Sequence, residues 1–154
     1  MIMKKIAIIL VAVIILSTVL CACSGGKKLS SVYEDITKQV ELKDMLVLTT
    51  TDQLDKYYGI AAEDVEDFAG CINSTGVDQE EIIMIKATDD AAADRVKEAL
   101  QLRYDTKLAQ NKNYNAEQAE IIESCSVDQD GLYVSMIIST NADQIKEIYQ
   151  KAIK

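Results

Sequence analysis

The sequence predicts an α+β fold, with a mainly antiparallel sheet of about four strands packed against helices in a single domain. Two patterns favour this class. Apolar residues recur at every fourth position from Val96 to Leu108, which is typical of an amphipathic helix. Two apolar segments flank residues 128–131, whose Asp-Gly ending favours a β-hairpin. Paired antiparallel strands with helices between and after them indicate an α+β sandwich.

The first elements are predicted from a cap and from apolar spacing. Residues 31–34, Ser-Val-Tyr-Glu, have the form of a capping box, which marks a helix start. Val32, Ile36 and Val40 follow at helical spacing and predict a short helix. Residues 45–48 are predicted to be extended.

Threonine and glycine mark the two ends of the next predicted helix. Thr50 or Thr51 is expected to cap a second helix, and Gly59 ends it because glycine is the usual residue just after a helix. A further helical turn is predicted over residues 63–68, followed by a strand at residues 69–73.

The second half of the chain contains the strongest patterns. Four consecutive apolar residues inside residues 81–87 predict a strand that is covered on both faces. The longest helix is expected from about residue 88 to residue 110. Residues 121–127 and 132–139 are predicted to form the hairpin, and Asn141 to cap a final helix.

The start of the chain has the parts of a secretory signal. Lys4 and Lys5 precede an apolar run over residues 6–20, and small residues follow. Ala22 before Cys23 fits the small pocket that signal processing requires, whereas Leu20 before Cys21 does not. Residues 20–23 therefore resemble the lipobox of bacterial lipoproteins, in which the last cysteine receives a diacylglyceryl group, and Cys23 is the predicted lipidation site.

This interpretation sets the expected domain organisation. We expect a lipoprotein signal peptide at residues 1–22, a lipidated tether at residues 23–29 and a single α+β domain at residues 30–154. The diacylglyceryl group inserts two acyl chains, which suffices for stable anchoring on the outer face of the cell membrane. The alternative is an uncleaved membrane helix, although the apolar run is shorter than the roughly 20 residues that span a bilayer.

The charge of the predicted mature part excludes one class of partner. Removing residues 1–22 removes two lysines and no acid, so 14 basic residues remain against 25 acidic ones, a net charge of −11. Nucleic-acid binding requires clustered Lys and Arg, so no nucleic-acid partner is expected.

The residue types also argue against most enzymes. The sequence contains no histidine, which excludes His-dependent triads and the commonest zinc ligand. Asp128 and Asp130 suggest the calcium-binding loop of an EF-hand. The last position of that loop must be a bidentate Glu, but in this sequence it would be Ile137. We predict a non-enzymatic protein with no cofactor and no metal site.

Four side chains remain as candidates for specific roles. Cys71 and Cys125 are predicted on strands, where they form either a disulfide or, as we prefer, two buried thiols. Tyr57 is a candidate partner contact because tyrosine is enriched at binding hot spots. Tyr58 lies four residues after Leu54, and this spacing assigns it to the core.

Several segments resemble one bacterial family. The stretches LDKYYGIAAEDVEDF, EEIIMIKATD, YNAEQ and IIESCSVDQDGLYVSMIIS occur in the order found in the domain of unknown function family 4358. The resemblance covers roughly residues 32–152. It implies the fold and a lipid anchor, but no activity and no catalytic residues. Ala116 departs from the family pattern, which favours proline there.

The function predicted from these observations is a lipid-anchored binding or interaction module at the cell surface. Its partners would be the membrane, through the anchor, and an envelope protein or a small ligand. One alternative is a solute-capturing component of an uptake or sensing system, which needs a pocket with convergent polar groups. Another is a cell-envelope hydrolase that uses two facing carboxylates.

Overall fold

The computed structural model describes residues 26–154, so the predicted signal peptide and Cys23 lie outside the described residues. The described part contains five α-helices, a 3-10 turn and five strands. In chain order they are α1 (Leu29–Gln39), β1 (Met45–Leu48), α2 (Thr51–Tyr58), the 3-10 turn (Ala62–Asp64), β2 (Val65–Asn73), β3 (Glu81–Ala87), α3 (Asp90–Tyr114), α4 (Ala116–Glu123), β4 (Ser126–Asp130), β5 (Tyr133–Ile138) and α5 (Ala142–Ile153).

The strands form one antiparallel sheet in the order β1-β2-β3-β5-β4. This confirms the predicted α+β fold. The sheet has five strands rather than about four, because Met45–Leu48 pairs with β2 as an edge strand.

Helices cover both faces of the sheet. Helices α1 and α5 pack against one face, called here the α5 face, while α2, α3 and α4 lie on the other, the α3 face. Side chains alternate between faces along a strand, so Glu81, Ile83 and Ile85 of the central strand β3 point to the α3 face. Ile82 and Met84 point to the α5 face, and all five side chains are buried.

Helix α1 begins at Leu29, before the predicted capping box at residue 31, and the Ser31 cap is therefore wrong. The Leu29 N–H instead donates to the Asp67 carboxylate of β2 at 2.8 Å. The Lys27 N–H also donates to the Ala152 carbonyl at 3.3 Å. Residues 26–28 of the predicted tether thus contact the domain.

Two boundaries differ from the sequence prediction. The chain becomes extended at Val65, where β2 pairs with Ala87, so the helical turn predicted over residues 63–68 is confined to the 3-10 turn. Residues 121–123 end helix α4 instead of starting a strand, because Ala119 and Ile122 bury one helical face. Cys125 therefore precedes β4, and its prediction on a strand is wrong.

Other predicted signals are confirmed. Thr50 forms a capping box with Gln53, and Gly59 ends α2 with a left-handed φ of 69°. The strand Glu81–Ala87 has the predicted bounds. Ala116 occupies the first position of α4, where proline is also favoured because that N–H needs no helical partner.

None of the helices formed by residues 26–154 combines the length and the apolar character that a membrane span requires.

Candidate functional site

A cleft of about 270 Å³ lies on the α5 face, between the β4–β5 hairpin and helix α5. We call it the hairpin cleft. Strand β4 pairs with β5 so that Asp128 lies opposite Ser135 and Asp130 opposite Tyr133. Since residues two apart share a face of a strand, both aspartates lie on the cleft side of the hairpin. Helix α5 supplies the opposite wall with Lys146, Tyr149, Gln150 and Ile153.

One aspartate of the cleft is fixed by its neighbours. The Lys146 ammonium lies 2.9 Å from an Asp128 carboxylate oxygen and donates to the Ser126 hydroxyl at 2.6 Å. The Ser126 hydroxyl donates in turn to Asp128 at 3.1 Å. Asp130 is exposed and makes no ion pair within the described part of the chain. In the cleft, the Asp128 carboxylate is therefore paired with Lys146, whereas the Asp130 carboxylate can contact a ligand.

Tyr149 lines the cleft and carries an unpaired hydroxyl. Its side chain is buried, with 4% exposure, and the hydroxyl finds no hydrogen-bond partner among residues 26–154. Ser135 on the facing strand β5 is its candidate partner. Burial raises the pKa of Tyr149 above its ordinary value, so the hydroxyl is a neutral donor at physiological pH. An unpaired buried hydroxyl costs about 1–3 kcal/mol, and the Tyr58 hydroxyl on the α3 face is in the same position.

The cleft continues into a wider groove of about 480 Å³ that shares Asp130, Tyr133 and Ile153. The N-terminal end of the described chain packs at this rim. A Cβ atom placed on Gly26 would lie 2.5 Å from the Tyr133 hydroxyl oxygen and 3.5 Å from the Ile153 Cα. A larger side chain at this position would require the Tyr133 hydroxyl to shift, so Gly26 allows this close approach without any displacement.

A second acid–lysine cluster lies on the α3 face, around Glu81. Glu81 is fully buried and accepts from Arg103 at 3.0 and 3.2 Å and from Lys107 at 2.7 Å. Burial alone would raise the pKa of Glu81, but Lys107 and Arg103 outweigh it and hold the pKa below its usual range. Tyr58 lies next to this Glu81 cluster, with the Arg103 guanidinium 5.9 Å from its ring centre and its buried hydroxyl unpaired within the described chain.

The two predicted candidate cysteines are buried, free and far apart. Cys71 pairs with Ile82, Ile82 with Ile137, and Ile137 with Ser126, the residue after Cys125. Three strand spacings of about 4.8 Å separate the cysteines by roughly 14 Å, beyond the roughly 7 Å limit for a disulfide. Burial raises the pKa of Cys71 to about 11, so this thiol is protonated at neutral pH.

The predicted tyrosines lie on helix α2, away from the hairpin cleft. Tyr58 is 8% exposed, which confirms its assignment to the core. Tyr57 is half-buried, and its ring packs edge-on against Tyr58 with centroids 6.5 Å apart. The Lys56 ammonium lies 5.2 Å from the Tyr57 ring centre. The role of Tyr57 as a partner contact stays a prediction.

Sequence reasoning missed the hairpin cleft. It placed Asp128 and Asp130 at a turn and did not single out Tyr149. The available signal was the alternation of polar residues at positions 126, 128 and 130, which indicates a polar face on one strand. Across residues 26–154, no three His, Cys, Asp or Glu side chains are grouped so that they could hold a metal ion.

Comparison with known proteins gives one match. The family model described as a domain of unknown function, DUF4358, matches residues 38–139, about two thirds of the chain. The match contains all five strands, and therefore the hairpin wall of the cleft, and it ends just before α5. No curated protein and no solved structure matches the chain.

Proposed function

We propose that this chain, which belongs to the DUF4358 family of domains of unknown function, is a lipid-anchored binding protein on the outer face of the bacterial membrane. Its ligand or partner occupies the hairpin cleft. The protein acts by binding rather than by catalysis, and the anchor is a diacylglyceryl group on Cys23.

The hairpin cleft with the exposed, unpaired carboxylate of Asp130 is the observation that carries the binding proposal. The Asp130 carboxylate can accept hydrogen bonds from a ligand, and the exposed Gln150 amide on the opposite wall can donate.

The position of Gly26 supports the anchor proposal. Gly26 packs against the rim of the hairpin cleft, and only Ser24 and Gly25 separate it from Cys23. At about 3.5 Å per residue, a lipidated Cys23 would lie within roughly 10 Å of Gly26. The cleft would then open close to the membrane surface.

The arrangement of acids favours binding over hydrolysis. A glycosidase needs two carboxyl groups on opposite sides of the bond that is cleaved. Asp128 and Asp130 lie side by side on β4, and the opposite wall of the cleft carries a lysine and a tyrosine. Capture of a solute for uptake or sensing would use the same cleft and is therefore the second candidate.

Mass spectrometry of the mature protein tests the anchor. In the native host, the mature chain is expected to begin at Cys23 with a diacylglyceryl thioether and to sediment with membranes. Cys23→Ala removes the modification site and should leave an unprocessed chain, whereas the matched Cys21→Ala variant should be processed and lipidated normally. An unmodified Cys23 in the native product would overturn the anchor.

Photocrosslinking in intact cells tests the binding site. The crosslinking amino acid p-benzoylphenylalanine replaces exposed Gln150 at the mouth of the cleft or, as a control, exposed Gln110 on α3. After irradiation, the intact mass of the protein should show a specific adduct from position 150 and none from position 110. Identical adduct patterns, or no adduct at either position, would contradict a ligand in the cleft.

A further inference from the structure

We infer that two copies of this chain pair through strand β1 and so join their sheets into one. The inference goes beyond the proposed function, because β1 lies at the opposite edge of the sheet from the hairpin that forms the cleft. Three properties of this edge carry it: its free main-chain groups, its exposed apolar side chains and its lack of charge.

The main-chain groups of β1 divide between its two sides. The Ser74 N–H donates to the Asp44 carbonyl at 2.8 Å, and the register of β1 and β2 places these two residues opposite each other. Hydrogen-bonded pairs alternate along an antiparallel ladder, so Leu46 also bonds to β2. The N–H and C=O groups of Met45 and Val47 therefore point away from the sheet, and they find no hydrogen-bond partner among residues 26–154.

The side chains of β1 leave apolar surface at this edge. Leu46 and Val47 are 40% and 44% exposed, and they point to opposite faces of the sheet. Another strand alongside would remove both from water, which is favourable for apolar groups. The strand is already held in place, by Asp44 at its start and by the buried side chain of Leu48 at its end. Pairing therefore requires little ordering of the edge.

The two edges of the sheet differ in charge. The other edge strand, β4, carries Asp128 and Asp130, and helix α3 packs against it. Charged residues on an edge strand oppose pairing with a further strand. In contrast, residues 45–51 contain neither a charged residue nor a proline. Because the predicted mature chain is strongly acidic, two copies can approach with less repulsion at β1 than at β4.

The sequence of β1 is compatible with two-fold symmetry. If Leu46 of one copy lies opposite Leu46 of the other, Met45 of each copy pairs with Val47 of the other. All four free groups of each strand then form hydrogen bonds across the interface. The Thr49 N–H is not needed, since the Gln53 side chain already accepts from it at 2.7 Å. The two Leu46 side chains contact each other on the α3 face.

A second copy is the partner that this edge favours. It presents the same free groups and the same apolar side chains, and the proposed anchor would confine both copies to one surface. Strands of four residues bury less than the roughly 1,200 Å² of a stable interface, so pairing needs the high effective concentration that anchoring supplies. To this extent the inference rests on the proposed anchor, and pairing is expected in membranes rather than in dilute solution.

Disulfide crosslinking in membranes of the native host tests the register. The membranes contain the full chain with Leu46→Cys and are oxidised with copper phenanthroline. Residues opposite each other in a non-hydrogen-bonded pair have Cα atoms about 4.5 Å apart, within the range for a disulfide, so Leu46→Cys should form a homodimer. The wild type should form none, because Cys71 and Cys125 are buried and the proposed lipid blocks Cys23.

Val47→Cys is the matched control. Its exposure nearly equals that of Leu46, so random collisions would crosslink the two positions equally. In the two-fold register, the two copies of residue 47 lie diagonally, about 7–8 Å apart, and their disulfide yield should be several-fold lower.

Val47→Lys in the Leu46→Cys background tests the interface itself. It places a lysine on each edge, so like charges should reduce the homodimer yield about fivefold or more. Because Val47 is exposed, the free energy of unfolding in urea should be the same in Leu46→Cys with and without this change.

Equal homodimer yields from positions 46 and 47, or no homodimer from position 46, would overturn the pairing. A crosslink from position 46 to a different protein alone would also overturn it, and would assign the edge to a strand of another chain. A lipidated chain that fails to form the homodimer leaves the proposed function intact. An unmodified Cys23 would overturn the anchor, and the yields from positions 46 and 47 would still decide the pairing.

Discussion

The Glu81 cluster on the α3 face and the hairpin cleft on the α5 face use the same residue types to opposite effect. Glu81 is fully buried, and two cationic side chains satisfy it. In the cleft, Asp128 is 46% exposed, and its neighbour Asp130 is exposed and has no ion-pair partner in the described chain. A closed and satisfied cluster contributes to the fold, whereas an open and incomplete one can contribute to binding. Composition alone does not separate the two.

The largest expected effect is that of Glu81→Gln. The substitution keeps the shape of the side chain but leaves Lys107 and Arg103 without their counterion inside the protein. Breaking a buried ion pair by removing one partner costs about 3–5 kcal/mol, so the free energy of unfolding should fall by that amount. Urea denaturation followed by circular dichroism measures it.

Glu98→Gln is the matched control for this prediction. Glu98 is an exposed residue of α3, and it makes no ion pair in the part of the chain that the structure describes. Its substitution should change the free energy of unfolding by less than about 0.5 kcal/mol. Similar losses for the two variants would show that the Glu81 cluster does not stabilise the fold.

The contribution of the Glu81 cluster to the free energy of unfolding should decrease in acid. The pKa of Glu81 is held below its ordinary value of 4.5, so its contribution to stability is complete above that pH and is lost as the pH falls through the folded-state pKa. The difference in unfolding free energy between the wild type and Glu81→Gln should therefore shrink below pH 4.5. A difference that stays constant in acid would contradict the ionised, paired state of Glu81.

Lys146→Met should affect stability much less than Glu81→Gln. The ion pair with Asp128 is partly exposed, with side-chain exposures of 21% and 46%, and such pairs contribute up to about 1 kcal/mol. Methionine also retains the apolar stem of the side chain. A loss as large as that of Glu81→Gln, measured in the same urea titration, would mean that the cleft cluster supports the fold.

The smallest expected effects on stability are those of Tyr149→Phe and Tyr58→Phe. Both variants remove a hydroxyl that has no partner within residues 26–154. Because the removed group was unsatisfied, the free energy of unfolding should stay constant or rise by up to about 1 kcal/mol in each. Calorimetric unfolding of the two variants checks this. A clear loss of stability in either would reveal a hydrogen bond to that hydroxyl.

Regular patterns made most of the fold predictable. The buried run in β3, the four-residue period of α3 and the Asp-Gly turn before β5 are local signals, and each marked an element that the structure contains. The start of α1 was not predictable because its cap is Asp67, which lies 38 residues away in the sequence. Ile121 and Ile122 illustrate another limit, since a short apolar run fits a strand or a helix equally well.

The candidate site was less predictable than the fold. Tyr149 occupies an apolar stripe with Ile145 and Ile153, and nothing in this spacing distinguishes a core tyrosine from one beside a cleft. Tyr58 illustrates the ambiguity, because the same kind of spacing assigned it to the core, where it lies. Both tyrosines are buried, and only the packing of α5 against the hairpin places Tyr149 beside a cleft.

Crosslinking from position 150 in the Asp130→Asn and Glu98→Gln backgrounds tests the contrast between cluster and cleft most directly. The yield of the adduct in intact cells, normalised to the amount of protein, should fall in Asp130→Asn and equal the wild type in Glu98→Gln. This result would assign the free carboxylate of the cleft to ligand binding. An undiminished yield in Asp130→Asn, or an equal decrease in both variants, would contradict it.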